Sequence, residues 1–179
     1  MSAVVPPPRT NPIIKIIDRI SDICGLCAAF MILASVLITC QMIFVRYVLN
    51  QSTIWQTEAV VYLMIAATMI GLPYVQRLRG HVNVNLLPLM LPKAMRKSLA
   101  FVVFGASIAV LGVMFFYAFE LWLLAFERNW RSDTVWGVRL WIPYLAMPMG
   151  FGLFLLQLAA DLYAIAIGED QPFNEERTH

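Results

Sequence analysis

The chain has 179 residues, of which 60% are hydrophobic and only 13% charged. Soluble domains carry about 25% charged residues, so a fully water-exposed surface is excluded. A formal charge of +2 is too small for a nucleic-acid partner, and three cysteines, Cys24, Cys27 and Cys40, cannot build a disulfide framework.

A spanning helix needs about 20 mostly apolar residues. Four segments meet that requirement or come close to it. The first runs over residues 23–45 between Asp22 and Arg46. It follows Pro6, Pro7, Pro8 and a mixed-charge stretch with no small-residue cleavage pattern, so it is expected to stay in the protein. The second covers residues 59–75, between Glu58 and the basic pair Arg77 and Arg79. Next comes a connection whose apolar residues, from Val82 to Leu91, interleave with Asn83 and Asn85 and precede Lys93, Arg96 and Lys97. That pattern predicts a short amphipathic segment along the inner leaflet, with Pro92 opening the next helix. The third span covers residues 98–119 and the fourth residues 140–160, where Pro148 is expected to kink the helix. The runs are too long and too evenly apolar for barrel strands. The expected fold is an all-α membrane protein of four transmembrane helices. Its parts are a tail at 1–22, a transmembrane domain at 23–160 and a second tail at 161–179.

Orientation follows from Lys and Arg, which favour the cytoplasmic side. Arg9, Lys15, Arg19, Arg77, Arg79, Lys93, Arg96, Lys97 and Arg177 fall on one side, against Arg46, Arg128, Arg131 and Arg139 on the other. Both termini are therefore expected in the cytoplasm. Trp55, Trp122, Trp130, Trp136 and Trp141 all fall at or beyond the opposite ends of the spans. Two readings fit them: an interfacial aromatic belt, or a surface on which a partner docks. Trp130, Arg131, Asp133 and Trp136 crowd into one connection and are the docking candidates.

Ionisable groups within a bilayer mark functional sites, and the four spans hold none at their centres. Gln41, Thr68, Ser107 and Gln157 are the polar residues inside them, and helix packing is the expected role of each. Two histidines, His81 and His179, exclude a bis-histidine haem site, and no cofactor or metal is expected. Cys24 and Cys27 form a C-x-x-C pattern, which leaves open a four-helix membrane thiol oxidoreductase. Free cysteines also pack as small apolar residues. Arg46 and Glu58 end one span and begin the next. They are read as an ion pair, within this chain or across to a partner. The alternative is that Arg46 meets lipid phosphate while Glu58 suits the start of its helix.

The stretch from Arg46-Tyr47 through Trp55, Glu58, Gly71, Arg77 and His81-Val82-Asn83-Val84 resembles the small, Q-type permease subunit of tripartite ATP-independent periplasmic (TRAP) transporters. Position 85 departs from the pattern, with Asn in place of an expected Asp. The resemblance implies a bacterial inner-membrane subunit without catalytic or substrate-binding residues of its own. It implies two protein partners: a large permease subunit holding the solute and sodium sites, and a periplasmic solute-binding protein delivering a solute, often an organic acid. It also implies that Arg46, Trp55, Glu58, Arg77 and His81 serve structure or interface. A membrane anchor for some other complex is the remaining alternative.

Overall fold

The computed structural model describes residues 11–78 and 93–167, with side chains described outside 93–100. Among these residues five helices follow in order: α1 (Pro12–Tyr47), α2 (Ile54–Arg77), α3 (Lys93–Glu127), α4 (Trp141–Tyr144) and α5 (Ala146–Ile167). Four stretches are long and apolar enough to cross a membrane, the last formed by α4 and α5 together. The all-α, four-span expectation is met. The α2–α3 connection, including His81, lies outside the described residues, as do both chain ends.

Helix α1 begins earlier than its hydropathy suggests. Asn11 caps it by accepting a hydrogen bond from the Ile13 backbone N–H at 3.1 Å, and Pro12 occupies the first turn, where a missing N–H is harmless. Residues 12–22, expected as a tail, thus continue the first helix. Ile14, Ser21, Cys24, Ala28 and Ser35 mark its buried face, and their spacing of threes, fours and sevens is that of a helix packed on helices. Ser35 is buried inside the bilayer length because its hydroxyl donates to the Met31 carbonyl at 2.8 Å.

Antiparallel α1 and α2 form the most extensive pair; α2 then packs on α5, and α5 on α3. Among the described residues, α3 makes no extended contact with α1 or α2. Helix α5 is the inner helix and the most buried span, whereas α3 is the least buried.

Two prolines shape these contacts. Pro73 lies inside α2 and is buried. Lacking an N–H, it leaves the Met69 carbonyl without its helical donor. Gly150 of α5 sits directly over that carbonyl: a Cβ there would stand 2.6 Å from the Met69 oxygen. Only glycine permits this approach. Pro148 lies close to where the fourth span divides into α4 and α5. Its ring crowds the carbonyl four residues earlier, at Tyr144, and the helix is interrupted at Leu145 between α4 and α5.

The connection between α3 and α4 is folded. Helix α3 ends in a Schellman motif, with Asn129 at φ 49°, Trp130 N–H donating to the Ala125 carbonyl at 3.1 Å and Asn129 N–H to Phe126 at 3.2 Å. Arg131 and Arg139 then pair as a single antiparallel bridge, closed by a turn at Gly137, whose φ is +59°.

Candidate functional site

Polar side chains gather at the two ends of the bundle. The first, the terminal end, is where α1 starts and α2 and α5 finish. Gln157 of α5 is fully buried there, at 0% exposure. Its Oε1 accepts a hydrogen bond from Ser21 Oγ at 2.6 Å. Its Nε2 donates to Asp18 Oδ1 at 3.1 Å and to Asp161 Oδ1 at 3.2 Å. Asp161, one turn further along α5, accepts at Oδ2 from Gln76 Nε2 of α2 at 3.3 Å. Arg77, the last residue of α2, pairs with Asp22 through Nη1, and its Nε lies 3.9 Å from Asp18 Oδ1. One amide thus ties α1 to α5, and Asp161 and Arg77 bring α2 into the same network.

This arrangement is structural in its chemistry. Buried polar groups are unfavourable unless they are hydrogen-bonded, and here one helix's donors meet the next helix's acceptors. Among the described residues there is no group of three or more His, Cys, Asp or Glu side chains that could hold a metal ion.

At the hairpin end, the start of α2 meets the folded α3–α4 connection. Glu58 accepts a hydrogen bond from Ser132 Oγ, and that hydroxyl lies 3.3 Å from Thr134 Oγ1. Trp55 and Trp136 meet edge to face with ring centroids 6.3 Å apart, an arrangement that aromatic quadrupoles favour. A row of rings, Phe119, Trp122, Phe126 and Trp141, closes the α3–α4 corner, with Trp122 Nε1 donating to the Trp141 carbonyl at 3.1 Å.

The residues singled out from sequence separate accordingly. Arg77 sits in the terminal network. Trp55 and Glu58 meet the connection that carries Trp130, Arg131, Asp133 and Trp136; Arg131, Asp133 and Trp136 are exposed and Trp130 is half-buried. The expected Arg46–Glu58 pair does not form within this chain: Arg46 is exposed at the end of α1, while Ser132 holds Glu58. Glu58 lies one turn inside α2, where it meets the α3–α4 connection, while Arg46 stays at the exposed end of α1. Of the four polar residues within the spans, Gln157 bridges helices. Thr68 instead donates to the Met64 carbonyl of its own helix at 2.8 Å, and Gln41 is exposed. Cys24 is buried and Cys27 exposed, both as free thiols.

Sequence reasoning missed Asp18, Ser21, Asp22, Gln76, Asp161 and Ser132. A signal was present for some of them. Asp18, Ser21 and Asp22 fall within one turn of each other, and Gln157 and Asp161 are one turn apart on α5.

Residues 35–167 match the family model described as tripartite ATP-independent periplasmic transporters, DctQ component. The chain belongs to the DctQ family. The match includes α2, α3, α4 and α5 and begins inside α1, so Asp18, Ser21 and Asp22 lie ahead of it while Arg77, Gln157 and Asp161 lie within. The chain is also similar to the C4-dicarboxylate TRAP transporter small permease protein DctQ of Vibrio cholerae serotype O1. The two are 22% identical over 162 residues, covering 79% of this chain and 70% of that protein. Membership in the DctQ family makes this multi-pass membrane protein the small permease component of a TRAP transporter. A DctQ component is a part of a transporter, and the tripartite description implies a large permease and a solute-binding protein beside it.

Proposed function

We propose that this DctQ-family subunit is a scaffold. It braces the large permease while that partner carries out sodium-coupled uptake of an organic acid delivered by a periplasmic solute-binding protein. It sits in the inner membrane with both termini in the cytoplasm, as the distribution of Lys and Arg favours.

The observation that carries this reading is the use made of the buried polar groups. Ser21 of α1 and Gln76 of α2 bond to Gln157 and Asp161 of α5 at one end of the bundle, and Gln157 bonds to Asp161 along α5. The cavity of about 380 Å³ between α1 and α2 is lined by apolar and small residues such as Ala28, Ile32, Ala67 and Gly71. Groups held this way fix helix positions, as a brace requires. The printed name of the Vibrio cholerae relative, a C4-dicarboxylate small permease, supports an organic acid as the class of solute.

Reconstitution tests the proposal. Liposomes holding this chain alone should show no saturable solute uptake, and adding the large permease and binding protein should restore sodium-dependent uptake. Uptake by the chain alone would overturn the scaffold reading.

A further inference from the structure

The short ribbon between α3 and α4 has two faces. Ser132 N–H donates to the Val138 carbonyl at 2.8 Å, and Leu140 N–H to the Trp130 carbonyl at 2.9 Å. These two bonds bracket the bridge between Arg131 and Arg139. The arginines are therefore a non-hydrogen-bonded antiparallel pair. In such a pair the Cα atoms stand only about 4.5 Å apart and both side chains leave from the same face. Burial alternates accordingly. Trp130, Ser132, Val138 and Leu140 are half-buried on the face turned to the bundle, where Ser132 meets Glu58. Arg131 and Arg139 are exposed on the other face.

Like charges placed directly opposite each other on a ribbon are destabilising. Among the described residues neither guanidinium has an ion pair or a hydrogen bond to offset that repulsion. Asp133, two positions from Arg131, is exposed and pairs with neither. A guanidinium grips phosphate or carboxylate oxygens in a planar fork, and two forks side by side can share one tetrahedral phosphate. Position favours that anion. Arg139 stands two residues before Trp141, where the last span starts, so its backbone lies at most about 7 Å from that point. The headgroup layer is about 5–8 Å thick on each side of a bilayer. Trp122 and Trp141 meet at the same corner, and tryptophan marks the headgroup level. Val135, at the tip of the ribbon, is 91% exposed, and a headgroup layer covers such a side chain where water does not. Phosphodiesters are the anions concentrated at that depth. Both leaflets carry them, so either orientation of the chain serves.

We propose that Arg131 and Arg139 hold one phosphate group between their guanidinium forks, supplied by a phospholipid headgroup or by free phosphate. The test uses the full chain in a maltoside detergent, which brings no phosphate, with native mass spectrometry counting bound molecules. Three probes are compared: phosphatidylglycerol, diacylglycerol with the same acyl chains, and inorganic phosphate. Phosphatidylglycerol should be retained well beyond diacylglycerol. The double variant Arg131→Gln with Arg139→Gln should bind it about tenfold more weakly or worse, since two charge-assisted forks are lost. Circular dichroism should show its helix content unchanged, because neither side chain touches the bundle. Arg128→Gln, which removes an exposed arginine of the same connection outside the bridge, should change binding by less than about twofold. Displacement of the lipid by equimolar inorganic phosphate supports the site with free phosphate as its source, and resistance to it supports the headgroup. Equal retention of the two lipids overturns the proposal, as does an unsubstituted chain that retains neither lipid nor phosphate. An equal loss in Arg128→Gln overturns it too, because the pairing would then count for nothing. If the double variant keeps phosphatidylglycerol and loses only recovery of the solute-binding protein, the arginines are a protein contact and the phosphate site falls.

Discussion

The two ends of this bundle are fastened by different means. At the hairpin end the chain itself does much of the holding: residues 48–53 link α1 to α2, and the folded segment 128–140 links α3 to α4. One carboxylate–hydroxyl contact and a set of aromatic rings complete that end. At the terminal end α1 begins and α5 finishes with no direct link between them. There a buried amide, three carboxylates, a second amide and an arginine bind α1, α2 and α5 across space. Among the described residues, polar side chains are thus concentrated between α1, α2 and α5, which no chain segment joins to one another at that end, and the small mid-span contacts at Gly150 and Ser35 need no charge.

The sharpest way to break this comparison is to remove the amide at the centre of the terminal network. Gln157→Ala leaves Ser21, Asp18 and Asp161 each short of a bond, and buried unsatisfied groups are expensive. The expected loss is about 3 kcal/mol, read from denaturant unfolding in mixed micelles. A change as small as that of an exposed control such as Gln41→Ala would refute the network's role. The middle of the bundle comes next. Gly150→Ala places a methyl group against the Met69 carbonyl, and overpacking of this kind costs about 1–3 kcal/mol. Gly105→Ala, where a Cβ meets nothing within 4 Å, should be neutral in the same assay.

The hairpin end should respond less. Ser132→Ala is expected to cost about 1 kcal/mol. In a double-mutant cycle it should couple with Glu58→Gln, while Arg46→Gln should be additive with Glu58→Gln. Coupling between Arg46 and Glu58 in the assembled transporter would instead place a partner's charge between them. The smallest change is expected at Asp22, whose side chain is 48% exposed; solvent screening limits Asp22→Asn to about 0–1 kcal/mol.

Much of this fold was legible in the sequence, because hydropathy reports spans directly. The ends of the helices were harder to place. Asp18, Ser21 and Asp22 depress the hydropathy of the first turns of α1, so a continuous helix reads as a polar tail; the Asn11–Pro12 start is the clue that corrects it. The partner of Glu58 was not legible, since Ser132 lies in a distant connection and reaches α2 only because the Asn129 and Gly137 turns fold that segment back. Nor does any linear pattern reveal that Pro73 frees a carbonyl and that Gly150 occupies the space above it. Such pairings depend on helix rotation, which hydropathy does not encode.

The length of α1 has a mechanical consequence. Its 36 residues make a rod of about 54 Å, against a hydrocarbon layer of about 30 Å. Spanning helices lean by about 20° on average and by at most about 40°, so leaning alone does not hide the excess. Its first turns must stand among the lipid headgroups, and there Lys15 and Arg19 are exposed, as residues facing phosphate would be. Bonded through Asp18 and Ser21 to the inner helix, that overhang works as an outrigger. Tilting the bundle would have to drag those charged turns out of the headgroup layer, so the overhang opposes tilting.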